Sequence, residues 1–550
     1  MSTQISTRQA GGNSYAEVLP LLAVKVGPRQ LDVNFRFSYI SIRDQIIRAQ
    51  MAVKALVETG LLKAGATNNQ LPNSAHFQLA IFGAGIAGVA AAMQAEKEGV
   101  RFILIEKGTF PSGVLSKTSE RYVSTSMYEW PNVVFDTHTF PLRSPRLLGL
   151  DVSEWALNLL IGAPLKIGDF STRFIDSVNE YIETWRTNAI SGRDGNWLVE
   201  NSSLSEDSKK SLAQLVSAPG SSMLAKQIDA GDAVPLSIET SVPSMTGVNS
   251  MSLDAEYLLY AVGYGKETRK FSPDKPAPDL RFNDFWDSDE IDSYQLGSTY
   301  GKPDVLIVGS GDGALQDALR CLFEKKEAAH ALEIWNLIVG QRFGRDPRNL
   351  TERPELMTAL QSLASYDGYT TVGTAWSGSA VAYRNLDAEF SKVAKFVSDK
   401  LGGLILDNMR PALRTDIRTI TILTRDGYFS KAYALNRFLA HLIFQVLSTR
   451  GWPILSIACG DIIDIAPNTD KRGGTVYFRD GRPQQQYPVI ILRGGLDRST
   501  EQQVGLSGRD TGRMELGRIA LPIVPVAPTA WKRTEVSALP TAISATVTAR

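Results

Sequence analysis

The stretch from His76 to Gly108, HFQLAIFGAGIAGVAAAMQAEKEGVRFILIEKG, constrains the fold of this chain more than any other. The run ending in Leu79-Ala80-Ile81-Phe82 reads as a buried strand, and Gly83-Ala84-Gly85-Ile86-Ala87-Gly88 as a tight turn. Val89 to Lys97 reads as a helix and Arg101 to Ile105 as a second strand, which completes a βαβ unit. The three glycines play different physical roles. Gly83 makes the turn, Gly85 admits a pyrophosphate close to the backbone, and Gly88 lets helix and strand pack closely. The pyrophosphate then sits on the helix N-terminus, where free N–H groups and the dipole favour an anion. Glu106 ends the second strand, about 20 residues past Gly83, where a carboxylate accepts hydrogen bonds from a ribose diol. Ala84, Ile86, Ala87 and Lys107 complete this first candidate cofactor site.

Phe77 to Met93 is nearly apolar and approaches the roughly 20 residues of a membrane span. Three glycines and the polar Gln94-Ala95-Glu96-Lys97 make it a buried α/β core instead, so no membrane partner is expected. The chain has 550 residues, too many for one core at about 150 residues per domain. Its 58 basic residues balance 58 acidic ones, which gives no support for a nucleic-acid partner and points to a small-molecule substrate. The first residues, MSTQISTRQAGG, show no secretory signal, and Cys321 and Cys459 lie far apart, a usage that fits the cytoplasm. His76, His138, His330 and His441 are scattered, so no metal site is expected.

Residues 1–75 form an N-terminal helical extension, in which Ile40 to Leu62 reads as one amphipathic helix packed on the core and Gly65 to Asn73 as a linker. After Gly108, Thr109 to Pro131 is rich in Ser, Thr and aromatic residues. Residues about 140–250 read as an inserted region with a helix over Phe170 to Thr187. Within Met251 to Gly265, the strand Tyr257 to Ala261 runs into the turn Gly263-Tyr264-Gly265 and closes a first domain over residues 76–300.

A second constellation starts at Lys302. Val305 to Val308 is a strand, Gly309-Ser310-Gly311-Asp312-Gly313-Ala314 a GxGxxA turn, and the helix continues to Phe323. The next convincing strand is Ile417 to Leu423, so roughly 90 residues beyond the usual spacing form an insertion over about 325–415, helical at Pro354 to Leu363 and Phe390 to Leu401. Arg425 stands where an NADP 2′-phosphate needs a cation, or is a solvated arginine at a strand end. Ile454 to Ile465 and Gly474 to Phe478 follow as strands, and Gly460-Asp461 within the first reads as ordinary strand. Val489 to Leu492 then runs into Gly494-Gly495, repeating the pattern of Tyr257 to Gly265. This second domain spans residues 301–500, and 501–550 is a Pro-, Ala- and Thr-rich return segment and tail. The expected fold class is α/β, with two Rossmann-type dinucleotide-binding domains, a helical N-terminal extension and a helical insertion.

The order strand-GAGIAG-helix-strand-Glu106, LLYAVGYG, VLIVGSGDGALQDAL, TILTR, VIILRGG resembles the flavoproteins with two dinucleotide-binding domains, which include thioredoxin-reductase-like enzymes and flavin-containing monooxygenases. The resemblance implies FAD in the first domain and NADP, or NAD, in the second. It also implies that the chain passes beneath the flavin at Arg121, Ser124, Thr125, Tyr128 and Trp130, with Gly263 near the cofactor; the alternative for Thr109 to Pro131 is a surface loop with a buried Tyr and Trp. Two departures matter: no CxxC lies near either turn, and the Gly-Asp usual near the C-terminus is missing after Val489 to Gly495. With thiol exchange excluded, the implied activity is an FAD-dependent, NAD(P)H-using monooxygenase of a small organic molecule. Alternatives are an FAD oxidase or dehydrogenase, for example of an amine, with a non-functional second turn, and a non-catalytic nucleotide-binding interaction protein. Substrate, catalytic residues and oligomeric state are not legible.

Overall fold

The computed structural model describes residues 24–27, 29–33, 42–63, 76–124, 127, 130–131, 156–157, 164–216, 233–240, 250–263, 270–272, 275–276, 280–281, 284–292, 301–343, 346–372, 380–430 and 432–495. The linker at 65–73, Thr125, Tyr128, Tyr264, Gly265 and the tail 501–550 lie outside them.

The first unit contains β1 (Val24–Gly27), β2 (Gln30–Asp32), α1 (Ile42–Glu58), β3 (His76–Phe82), α2 (Ile86–Lys97) and β4 (Phe102–Ile105). A short pair, β5 (Tyr122–Val123) with β6 (Leu165–Lys166), leads into α3 (Ile167–Ser191). Then come β7 (Trp197–Val199), β8 (Ser202–Leu204), α4 (Glu206–Val216), β9 (Val234–Thr240) and β10 (Ser250–Tyr260). The sheet order is β1-β2-β10-β3-β4-β7, parallel from β2 through β7. The burial of β3 and β4 on both faces explains why they read as unbroken apolar runs.

A short pair, β11 (Lys270–Ser272) with β12 (Lys275–Pro276), precedes the second unit. That unit runs β13 (Asp304–Val308), α5 (Asp312–Leu322), α6 (Ala331–Ile338), α7 (Pro354–Val372), α8 (Ala380–Met409), β14 (Thr419–Thr424), α9 (Ala434–Thr449) and β15 (Leu455–Cys459). An antiparallel meander, β16 (Ile462–Pro467), β17 (Gly474–Phe478) and β18 (Gln485–Tyr487), leads to β19 (Val489–Leu492). Its parallel sheet has the order β15-β14-β13-β19. Both units thus place their strands third-second-first-fourth and reach the fourth strand through antiparallel pairing, β8-β9-β10 in one and β16-β17-β18 in the other. This is the Rossmann half, built twice.

Three expectations change. Within 140–250 the described residues include β7, the third parallel strand, and β8 and β9, which extend the same sheet; three-residue strands are too short to show a period. The N-terminal extension is more than a helix, since β2 pairs with β10 as a fifth parallel strand and α1 packs on α2. The stretch 454–465 is two strands broken at Gly460-Asp461, one in the parallel sheet and one in the meander. Among the described residues the segment from α5 to β14 holds the α-helices α6, α7 and α8. Among the described residues no helix is long and apolar enough to cross a membrane.

Trp130 comes from the segment after β4 yet is fully buried in the core of the second unit, edge-on to Trp335 at 5.1 Å and stacked on Phe438 at 5.4 Å. Trp130→Ala is expected to lower unfolding free energy by about 3–5 kcal/mol, measured by denaturant titration.

Candidate functional site: two glycine turns at the ends of parallel strands

The first turn separates glycines that the protein itself requires from one that it does not. Gly83 has φ +98°, and a β-carbon there would lie 2.6 Å from the Ala261 carbonyl oxygen, just past β10. A β-carbon on Gly88 would lie 1.7 Å from the Gly83 carbonyl oxygen. At Gly85 a β-carbon would meet no protein atom within 4 Å. Gly85 is the N-cap of α2, and the N–H groups of Ile86, Ala87 and Gly88 that follow it lack intrahelical acceptors.

Glu106 is buried at the end of β4, and its carboxylate is tied to the turn: Ala84 N–H donates to Oε2 at 2.6 Å, Ser112 Oγ to Oε2 at 3.1 Å and Gly108 N–H to Oε1 at 2.8 Å. A carboxylate offers about four acceptor positions, so capacity for a ribose hydroxyl remains. Lys107 is exposed beside it, and Gly263 (φ +77°) stands at the mouth of β10 with nothing within 4 Å of its β-position.

Of the residues expected beneath a flavin, Arg121, Ser124 and Trp130 are described. Arg121 is buried, and its guanidinium donates to Asp317 on α5 at 2.7 Å and to Asp289 at 3.1 Å, over the ring of Phe285 at 3.8 Å. Arg121 and Trp130, expected beneath a flavin, are both buried and link the two units, Arg121 through Asp317 and Trp130 through the second core. Ser124 is buried.

The second turn repeats the first. Gly309 has φ +148°, and a β-carbon there would lie 2.4 Å from the Arg493 carbonyl oxygen, just past β19. Ala314 takes the third-glycine position, fully buried, and Gly311 caps α5. Asp312 sits in the first turn of α5 but points its carboxylate at protein donors: Tyr433 N–H at 3.0 Å, Asn436 Nδ2 at 2.7 Å and Gln316 Nε2 at 2.6 Å. Burial pushes its carboxyl above the ordinary aspartate range against the pull of these donors. Ser310 is tied to Ser430 through the hydroxyls at 2.8 Å and through Ser430 N–H to Ser310 O at 2.9 Å. Beside Gly313, a β-carbon would touch the Phe285 ring at 3.0 Å.

The loop after β14 is held over this turn by a buried cluster that sequence reading missed. Arg437 on α9 donates to the Phe429 and Ser430 carbonyls, each at 2.6 Å, and to Asp387 on α8 at 2.9 Å. Asp387 also bonds His441 Nε2 at 2.9 Å and accepts Phe429 N–H at 3.0 Å. Burial opposes the charge on Asp387, but His441, Arg437 and that N–H outweigh it and hold its carboxyl below the usual range. The helical insertion therefore supplies a support for the second turn, and only the i, i+4 spacing of Arg437 and His441 hinted at it.

Arg425 lies one residue past β14, where expected, with its side chain 76% exposed and Nε 3.9 Å from Asp461 Oδ1. Asp461 is also paired with Arg479 at 2.7 Å.

Residues 81–142 match the family described as NAD(P)-binding Rossmann-like domain. No curated protein is similar in sequence. Similar solved structures include the bacillithiol disulfide reductase Bdr of Bacillus cereus, at 12% identity over 78% of this chain and 82% of that one, TM-score 0.35. The ornithine hydroxylase PvdA of Pseudomonas aeruginosa is 10% identical over 77% and 82%, TM-score 0.32. A cyclohexanone monooxygenase is 12% identical over 79% and 76%, TM-score 0.33.

The glycine geometry is directly testable. Gly88→Ala is expected to lose more than about 4 kcal/mol of stability, because its methyl group would overlap the backbone carbonyl of Gly83. Gly85→Ala, with open space, stays within about 1 kcal/mol of the parent; denaturant titration of both variants reads the difference.

Proposed function

We propose that the protein is an FAD-dependent oxidoreductase that takes hydride from NAD(P)H and acts as a monooxygenase on a small organic molecule. The observation that carries this is the Gly85 cradle: a position kept free of side chain that no protein atom needs, at a helix N-terminus and next to the Glu106 carboxylate. That constellation fits a dinucleotide, with pyrophosphate on the α2 N–H groups and ribose on Glu106. The second turn supports a separate nucleotide, with the exposed Arg425 at the strand end as the cation for a 2′-phosphate. A flavin held by the first turn and Glu106 would supply the hydride-accepting chemistry, and the chain's own part would be to hold the two nucleotides at the two turns.

The acceptor is inferred from the thiols. Cys321 is buried in α5, and burial pushes its pKa up to about 12, so it stays a thiol and is no nucleophile. Cys459 is exposed at the end of β15 with its thiol on the Arg425 carbonyl, 3.3 Å away. Neither serves a dithiol relay, which favours dioxygen and an organic molecule as acceptors.

The purified protein is expected to be yellow, to bleach under anaerobic NADPH and to consume oxygen on readmission of air. Gly85→Val, folded, is expected to lose its flavin, because a branched side chain fills the pyrophosphate space. Folded Gly85→Val with full flavin content overturns the first site. Arg425→Ala is expected to weaken NADPH about tenfold while leaving NADH unchanged, since a charge-assisted hydrogen bond contributes about 1.5 kcal/mol or more. Equal changes for both nucleotides in fluorescence titrations overturn the role of Arg425.

A further inference from the structure

Asp317 is fully buried on α5, the helix that follows the second turn, and is shared by arginines from three parts of the chain. Arg121 Nη1 reaches Oδ1 at 2.7 Å, Arg493 Nε reaches Oδ2 at 2.7 Å and Arg320 Nη1 reaches Oδ1 at 3.3 Å. A strap at residues 284–292 adds two more carboxylates: Asp289 takes Arg121 at 3.1 Å and Arg320 at 2.7 Å, and Asp292 takes Arg320 at 2.9 Å. The three arginines and three aspartates of this set balance formally. Burial opposes ionisation of Asp317, but the three guanidiniums outweigh it and hold its carboxyl far below the usual aspartate range.

The members of this network come from defined places. Arg121 opens β5, and its carbonyl accepts Ile167 N–H at 2.7 Å, so its backbone belongs to the first unit. Arg493 follows β19 and presents its carbonyl to Gly309. Phe285, on the strap, lies over Arg121 at 3.8 Å and Arg493 at 5.8 Å, with its ring against Gly313. One carboxylate therefore joins the helix of the second turn, the strand end behind that turn and the first unit. Solvent-exposed ion pairs slide and exchange partners, but a buried set with several fixed partners has one arrangement.

We propose that Asp317 is a positioning residue that fixes the second nucleotide turn to the first unit in a single orientation, so that hydride passes between the two ligands without rotation of the units. The positioning rests on the network alone; the hydride step rests on the function proposed above. A displacement of about 1 Å costs up to a hundredfold in a transfer of this kind.

The test uses the full chain with Cys459→Ser and spin labels at Lys97→Cys on α2 and Lys400→Cys on α8, both exposed positions. The parent is expected to give one narrow inter-label distance. Asp317→Asn, and Arg121→Lys should Asp317→Asn fail to fold, is expected to broaden it. In the same variants, anaerobic flavin reduction by NADPH slows by about tenfold or more, while NADPH affinity and flavin content stay within about threefold of the parent. A merely stabilising network would lower melting temperature and leave both the distance and the reduction rate unchanged in the folded variant, which overturns the proposal. Broadening in a chain that carries no flavin retains the positioning role and removes the redox reading.

Discussion

A backbone contact with no room for a side chain underlies both units. At Gly83 the turn after the first strand presses on the carbonyl of Ala261, and at Gly309 it presses on the carbonyl of Arg493. Each contact joins the first strand of a unit to the end of its fourth, where the crossover order reverses and a crevice opens beyond the strand ends. Only glycine meets both the left-handed dihedral and the distance. The helix that follows is thereby aimed along its strand with its N-terminus at the crevice. Gly88 and Ala314 then set how closely that helix packs, and the difference of one methyl group is absorbed in the second unit because Ala314 is fully buried against its own turn.

Upon this repeated frame the protein builds two buried charge clusters. Asp387, Arg437 and His441 hold the loop after β14 on the second turn, and Asp317 with its arginines holds that turn to the first unit. Loss of one member of such a cluster leaves an uncompensated buried charge, at about 3–5 kcal/mol. Apolar packing of the same volume would hold as tightly but would tolerate several arrangements, whereas directed hydrogen bonds specify one. The helical insertion and the strap at 284–292 are thus structural supports for the second crevice, because they bring the carboxylates that its arginines need.

The N-terminal segment shows how a sheet is completed from an unexpected part of the chain. The Gly-Asp expected near the C-terminus is missing, and the fifth parallel strand is β2, which arrives from before the first unit and ends at the buried Asp32. Three residues carry no measurable period, and strand pairing is a property of the partner, β10, as much as of β2 itself. The same reasoning applies to β7, whose Trp197-Leu198-Val199 becomes a strand because β4 offers an edge for it.

By itself the sequence determined both glycine turns, the strands and helices that flank them, Glu106 at its strand end, Arg425 after β14 and the helical insertion between α5 and β14. These are local: each follows from dihedral limits, apolar periodicity or the reach of one strand, all contained in a short window. Tertiary structure alone decided that the Arg121 side chain reaches from the first unit to Asp317, that Trp130 packs in the core of the second, that Asp317 collects three arginines and that Asp387 supports a loop 42 residues further along the chain. A buried charge has no local signature, since its partner is chosen by where the chain returns in space, and no spacing along the sequence encodes that return.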